Sequence, residues 1–142
     1  MKRQPNILII DAQGGGIGRL LVSAIRQERP GAVLTAVGGN SAATAAMLKA
    51  GADQGATGEN AVVVACRRAD VILGPIGIVV ADSMLGEITP KMAAAVAQSG
   101  AKRILIPFDH CDNVVVGVPE TSMKALVREA VSVLMGIVKA PS

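Results

Sequence analysis

The segment Asp11-Ala12-Gln13-Gly14-Gly15-Gly16-Ile17-Gly18-Arg19-Leu20 follows directly on the apolar run Ile7-Leu8-Ile9-Ile10. This junction constrains the fold more than any other part of the chain. Consecutive aliphatic residues without polar alternation read as a strand buried on both faces, as in parallel sheets. Beyond the glycines, Ile17, Leu20, Leu21, Ala24 and Ile25 recur at helical spacing until Pro30-Gly31 stops the pattern. A buried strand that passes through a bare turn into a helix needs a further parallel strand beside it and helices over both faces.

The rest of the chain repeats that alternation. Val33 to Val37 reads as a second strand, and Asn40 or Ser41 is suited to cap a helix that runs to Ala50. Gly51 fits the left-handed position after that helix. Residues 52 to 60 read as a loop with at most one very short strand, in which Thr57, Glu59 and Asn60 are expected to cap the next helix. Ala61 to Ala69 carries three consecutive valines, yet Asp70 to Leu73 already reads as the following strand, so a connecting helix is expected there. Thr89-Pro90 is a strong helix start, a capping hydroxyl followed by proline at the first helical position. Arg103 to Pro107 and Val114 to Val118 are expected strands, and Ser122 opens a last amphipathic helix with Met123, Leu126, Val127, Ala130, Val131, Leu134 and Val138 on one stripe. The expected architecture is one α/β domain over residues 1 to 142: a three-layer sandwich, its sheet mostly parallel, with helices on both faces.

Composition narrows the partners. The chain is 51% apolar, 18% charged and 1% aromatic, so its core must be aliphatic. Phe108 is the only aromatic residue, which removes base stacking as a way to hold nucleic acid. The net charge of +3 is spread over single or paired cations, so nucleic acid is not expected as a partner. The longest apolar stretch, Val71 to Ala81, is interrupted by Gly74, Pro75 and Gly77 and is too short to span a bilayer. After Lys2-Arg3 the apolar run stops at Asp11 with no cleavage site, so a cytoplasmic chain without membrane attachment is expected. Cys66 and Cys111 show no CxxC spacing and read as two reduced thiols.

Four glycines in positions 14 to 18 stand where a helix N-terminus presents unpaired N–H groups and the positive end of its dipole. Glycine lets an anion approach such an end closely. This is where Rossmann-like folds hold a pyrophosphate. The fingerprint is imperfect: GxGxxG ending at Gly18 would need glycine at Gln13, and begun at Gly14 it would need a small residue at Arg19. The similar TGxxxGIG loop of short-chain dehydrogenases has glycine where Ala12 stands, and no Walker lysine follows. A tight turn without any ligand is the competing reading. In the ligand reading Gly14, Gly15, Gly16, Ile17 and Gly18 cradle a phosphate. Asn40 and Ser41 then border the adenosine side, and Gly74 and Gly77 the far side. The region after Val37 carries no acid to hold a ribose diol, which favours NADP over NAD if the ligand is a dinucleotide.

Two further segments carry polar groups among apolar neighbours. In Gly74 to Pro90, Asp82, Ser83 and Glu87 stand near the end of a strand, and Asp82-Ser83 either caps a short helix or faces a substrate. In Pro107 to Asn113, Asp109, His110, Cys111 and Asp112 are ligand types, but all are local, and a metal site usually joins separate elements, so no metal is expected. His110 is the one histidine available as a general acid or base.

The segments "DAQGGGIGRL", "MLKAGADQGATGENAVVV", "GPIGIVVADSMLGEITP" and "ILIPFDHCDNVVVGV" together resemble a family of short bacterial proteins described only as a domain of unknown function. The resemblance runs from Ile7 to Val118 and is most specific in Gly74 to Pro90. It implies a bacterial source and a complete single-domain protein, and it brings no activity and no catalytic residues. The expected function is binding of a nucleotide, NADP among the candidates, or of another phosphorylated small ligand. One alternative is a small NADP-dependent oxidoreductase using Asp82, Ser83 or His110, although without tyrosine it lacks the Tyr–Lys pair of the short-chain enzymes. Another is a structural or regulatory subunit whose glycine turn is only architectural. With so few charges and so much apolar surface to cover, a homo-oligomer, a dimer first, is expected, using Ile76 to Leu85 or the last helix.

Overall fold

The computed structural model describes residues 4–108, 113–118 and 121–139. Five strands, β1 (Asn6–Asp11), β2 (Val33–Gly38), β3 (Gln54–Thr57), β4 (Val71–Pro75) and β5 (Lys102–Ile106), form one sheet in the order β3-β2-β1-β4-β5. All four pairings are parallel; Ile7 sits opposite Leu34 on one side and Val71 on the other. Among the described residues five helices connect and flank them: α1 (Gly16–Glu28), α2 (Ser41–Ala50), α3 (Glu59–Arg68), α4 (Pro90–Gln98) and α5 (Met123–Lys139). A 3-10 turn, Ile76–Val79, follows β4. The chain is thus a Rossmann-like α/β sandwich, and its sheet is wholly parallel.

The pleat of β1 divides the core. Ile7 and Ile9 face α1, α2 and α5, where they meet Leu21, Val22, Ile25, Met47 and Leu134. Leu8 and Ile10 face α3 and α4, where they meet Val62, Ile78, Met92 and Val96. Each fully buried Ile or Leu contributes about 2 kcal/mol through loss of water contact. The unbroken aliphatic run of β1 is therefore what a central strand covered on both faces requires. From β1 the chain winds outward to β2 and β3, then returns to the other side of β1 for β4 and β5. The strand order reverses between β1 and β4, and a crevice opens beyond the carboxyl ends of strands at such a point. The glycine turn sits there.

The helix signals behave as their chemistry requires. Asn40 caps α2 by accepting from the Ala43 amide at 2.9 Å, and Gly51 follows it at φ 124°. Thr89 caps α4 by accepting from the Met92 amide at 3.1 Å, with Pro90 in the first position. The segment with three valines is α3. Its cap is Gly58 at φ 101°, without a side-chain contribution. The expected caps serve elsewhere: Glu59 accepts from the Thr89 hydroxyl at 2.6 Å, and Thr57 meets the Thr44 hydroxyl at 2.7 Å.

Val114 to Val118 is not a strand. Residues 113–118 are irregular, Gly117 turns at φ 86°, and Val114 and Val116 are 90% and 92% exposed. Strand propensity becomes a strand only where a partner supplies the ladder and a surface to pack on; here the sheet ends at β5.

Arg26 fastens the end of α1. Its guanidinium donates to the carbonyls of Pro30, Ala32 and Gly51 and pairs with Asp53 at 3.0 Å. Arg26→Ala is expected to lower folding stability by about 2 kcal/mol, since several carbonyls lose a charged donor together. Arg26→Lys should restore less than half, because an ammonium cannot reproduce the planar fork. Urea unfolding of both variants checks this; an alanine variant as stable as the parent would contradict it. Asp53, held low by the Leu34 amide and by Arg26, contributes in the complementary sense: its share is present above pH 3.8 and lost as pH falls through its folded-state pKa.

Candidate functional site

The glycine turn contains two kinds of glycine. Gly15 is the residue before α1, at φ 70°, and a Cβ there would lie 3.0 Å from the Ala43 Cα. Gly18 lies against α2: a Cβ would come within 2.6 Å of the Met47 sulfur and 2.9 Å of the Asp11 Cβ. Both are required by the backbone and by helix packing. Gly14 and Gly16 are different. Neither has a positive φ, and a Cβ on either would meet nothing within 4 Å. Among the described residues no acceptor meets their amides.

The α1 N-terminus already holds an anion supplied by the chain itself. Asp11, 4% exposed, accepts from the Ala12 amide at 2.7 Å and from the Gly18 amide, also at 2.7 Å. Burial raises the Asp11 pKa above 3.8, against the hydrogen bonds from Gly18, Ala12 and Ile17, and the charge of Glu87 acts in the same direction as burial. A raised folded-state pKa means that the folded chain holds the proton more tightly than the unfolded one. The Asp11 contribution to stability is therefore full below pH 3.8 and declines as pH rises through the folded-state value. Relative to Asp11→Asn, the parent is expected to lose stability across that interval and to stay level above it. Urea midpoints at a series of pH values test this, and a parent advantage that grows with pH would overturn it.

A second carboxylate reaches the same turn from the segment after β4. Glu87 accepts from the Gln13 amide through both oxygens, at 3.0 and 3.1 Å, and from the side-chain amide of Asn40. Asn40 Nδ2 also donates to the Gln13 carbonyl at 2.8 Å. Gly39 makes room: a Cβ there would lie 2.9 Å from Glu87 Oε1. Asn40 is thus a cap and a strut together, while Ser41 is exposed at the first position of α2. The turn after Val37 carries no acid in sequence, but in space the Glu87 carboxylate lies against Gly39 and Asn40 of that turn.

The segment that carries Glu87 is wound tightly. Asp82, Met84 and Leu85 hold φ values of 64°, 55° and 57°, and Gly86 follows at 85°. Left-handed backbone costs a non-glycine residue about 1 kcal/mol or more. Backbone bonds hold the segment in shape, from the Asp82 amide to the Ile88 carbonyl at 2.7 Å and from Gly86 to Asp82 at 3.1 Å. Ser83 is buried and donates to the Gly77 carbonyl at 2.6 Å. Asp82-Ser83 therefore neither caps a helix nor turns its hydroxyl to a substrate.

Gly74 and Gly77 do not form the far wall of the site. Both are buried: a Cβ on Gly74 would meet the Ile10 carbonyl and the Ile78 side chain, so it is glycine because β4 packs tightly against β1. The cleft beyond β1 and β4, about 160 Å³, is lined instead by Gln13, Gly14, Gly16, Pro75, Met84 and Phe108, with Asp11 below. That volume suits a single anionic group; whole small-molecule sites are roughly 300 Å³ and above. Sequence reading missed Asp11 and gave Glu87 no partner. An acid just before a glycine turn is a local signal for a carboxylate that caps the helix to come, whereas nothing local connects Glu87 with Gln13.

Among the described residues, no group of three or more His, Cys, Asp or Glu is placed to hold a metal, and no helix is long and apolar enough to cross a membrane. Asp109, His110, Cys111 and Asp112 lie outside the described residues. Cys66 is a free, buried thiol whose pKa burial pushes up to about 11.

No curated protein matches the sequence. One solved structure resembling the chain is a dodecameric FMN-dependent UbiX-like decarboxylase from Escherichia coli O157:H7, at 16% identity and a TM-score of 0.46, covering 96% of this chain and 95% of that one. The family model described as a domain of unknown function, DUF3842, matches residues 6–139, and the chain belongs to that family.

Proposed function

We propose that the chain binds a phosphorylated small ligand of the nucleotide class beyond the end of β1, with its anionic group on the Gly14 and Gly16 amides. One observation carries this reading: these two glycines are required neither by backbone conformation nor by packing. Glycine loses more conformational freedom on folding than any other residue, and close approach of a ligand to bare backbone is what it gains here. Arg19, exposed one turn into α1, is a cation near the positive end of a helix, where a bound phosphate would offset the repulsion. The cleft takes the phosphate, and the remainder of the ligand lies toward Ser41 or over Phe108. A thermal-shift panel of NADP, NAD, ATP, AMP and inorganic phosphate tests the proposal. A ligand at a hundredfold excess over its Kd stabilises by about 2.7 kcal/mol. A panel without any shift would reject it in favour of the second reading, an architectural turn, which the Asp11 carboxylate at the α1 N-terminus supports.

We also propose that the chain self-associates. Ile78, inside the segment first expected to pair, is buried, as are Val127, Val131 and Leu134 of α5. Leu85 at the end of that segment is nevertheless 99% exposed, and further exposed apolar surface lies between the β5 edge and α5. A groove of about 390 Å³ there is lined by Leu105, Val118, Leu126 and Val133, and Val114 and Val116 stand exposed nearby in the chain. Soluble monomers rarely leave such a patch open. Light scattering at micromolar concentration should give a multiple of the 14.4 kDa chain mass, and Val116→Asp should lower it. A monomer mass that persists as concentration rises would refute the proposal.

A further inference from the structure

We propose that Glu87 is a tethered competitor for an anion cradle that adjoins the Gly14–Gly16 cleft, and that a bound ligand displaces it and moves the tip of the segment Asp82–Glu87. The inference rests on the phosphate-binding reading above and names a regulation of that same site. Two separate turns converge on the Glu87 carboxylate. The turn after β1 donates the Gln13 amide, at 3.0 and 3.1 Å. The turn after β2 donates the Asn40 side chain and presents the bare Cα of Gly39, where a Cβ would lie 2.9 Å from Glu87 Oε1. Two donors and a glycine around one carboxylate make a cradle for an anion, and Glu87 occupies it from within.

The backbone around this contact is the strained part of the molecule. The non-glycine residues with positive φ among the described residues are Gln13, Asp82, Met84 and Leu85, at 51°, 64°, 55° and 57°. Gln13 donates to Glu87, and the other three belong to the segment that carries it. Strain gathered at one contact marks an element held away from its relaxed form. Leu85 at its tip is 99% exposed, so the tip can move while buried Ser83 and core-packed Met84 anchor the start of the segment. Gln13 and Met84 both line the cleft beside Gly14 and Gly16. Withdrawal of Glu87 would join that small cleft to the cradle and leave a longer site for two linked anionic groups. A ligand phosphate, accepting from Gln13 and Asn40 in place of the carboxylate, replaces its hydrogen bonds while the segment relaxes. With Glu87 in place, its negative charge also repels the incoming anion.

Calorimetric titration of inorganic pyrophosphate into the full chain tests this, using the parent, Glu87→Ala and Glu87→Gln. Removal of the competitor is expected to tighten pyrophosphate binding about tenfold or more in Glu87→Ala, and by a smaller factor in Glu87→Gln, which keeps one acceptor but loses the charge. Chymotrypsin should cut the parent at Met84 or Leu85 faster once pyrophosphate is added, and Glu87→Ala equally fast without it. If the parent binds and neither variant binds more tightly, Glu87 is a fixed wall; the competitor is rejected while the phosphate site stands. If neither the parent nor any variant binds, the phosphate-binding reading falls and the competitor falls with it. Should Glu87→Ala not fold, Glu87→Gln decides: binding no tighter than in the parent overturns the proposal.

Discussion

Gly38→Ala is expected to lower folding stability by about 3 kcal/mol, at the upper end of what an overpacked site costs. A Cβ at that position would lie 2.5 Å from the Thr44 hydroxyl, 2.6 Å from the Thr44 amide and 2.7 Å from the Asn40 carbonyl. Two of those three atoms are backbone, and the third is tied by hydrogen bonds to the Asn40 and Ala56 carbonyls. The clash therefore cannot be relieved by rotating one side chain. It would separate the end of β2 from the first turn of α2, where the Asn40 cap and the Glu87 cradle also sit. Urea unfolding followed by circular dichroism measures the loss, and a midpoint within experimental error of the parent would contradict the packing described here. Most domains have about 5–15 kcal/mol in all, so failure to accumulate as folded protein is the same result in a stronger form.

Gly16→Val is expected to have the opposite profile, with the fold intact and ligand binding lost. Nothing lies within 4 Å of a Cβ at Gly16, and its φ is ordinary for an L residue. The stability change should stay within about 0.5 kcal/mol, as for most open surface positions. The isopropyl group would nevertheless cover the amides of Gly14 and Gly16 and fill part of a cleft of about 160 Å³. Affinity for the nucleotide that stabilises the parent most should fall about a hundredfold or more, equivalent to about 2.7 kcal/mol. Gly16→Ala, with one methyl group, should fall between. Parallel titrations settle the point: equal affinity in parent and valine variant would show that the ligand does not use this turn.

Much of the fold was legible because its signals are local. The aliphatic run of β1, the Asn40 and Thr89-Pro90 caps and Gly51 each act on their own turn of backbone, so their chemistry could be read without knowing what packs against them. β3 was faint because Gln54 to Thr57 is short, exposed and poor in strand formers; it is a strand because β2 lies beside it. Val114 to Val118 shows the reverse case, strong strand formers without a ladder to join.

What the sequence by itself determined is the strand–helix alternation apart from β3 and residues 114–118, the aliphatic core and the strand–turn–helix that opens the chain. Periodicity and turn chemistry are properties of neighbouring residues. Only the tertiary structure decided what each glycine is for: Gly18, Gly38 and Gly74 leave space for Met47, Thr44 and the Ile10 carbonyl, whereas Gly14 and Gly16 face open cleft. It alone decided, too, that acids hold the turn. Asp11 is seven residues from the Gly18 amide it caps, and Glu87 is seventy-four from the Gln13 amide it holds. A contact across that separation exists only once β1 and β4 lie side by side, because the sheet brings their carboxyl ends together.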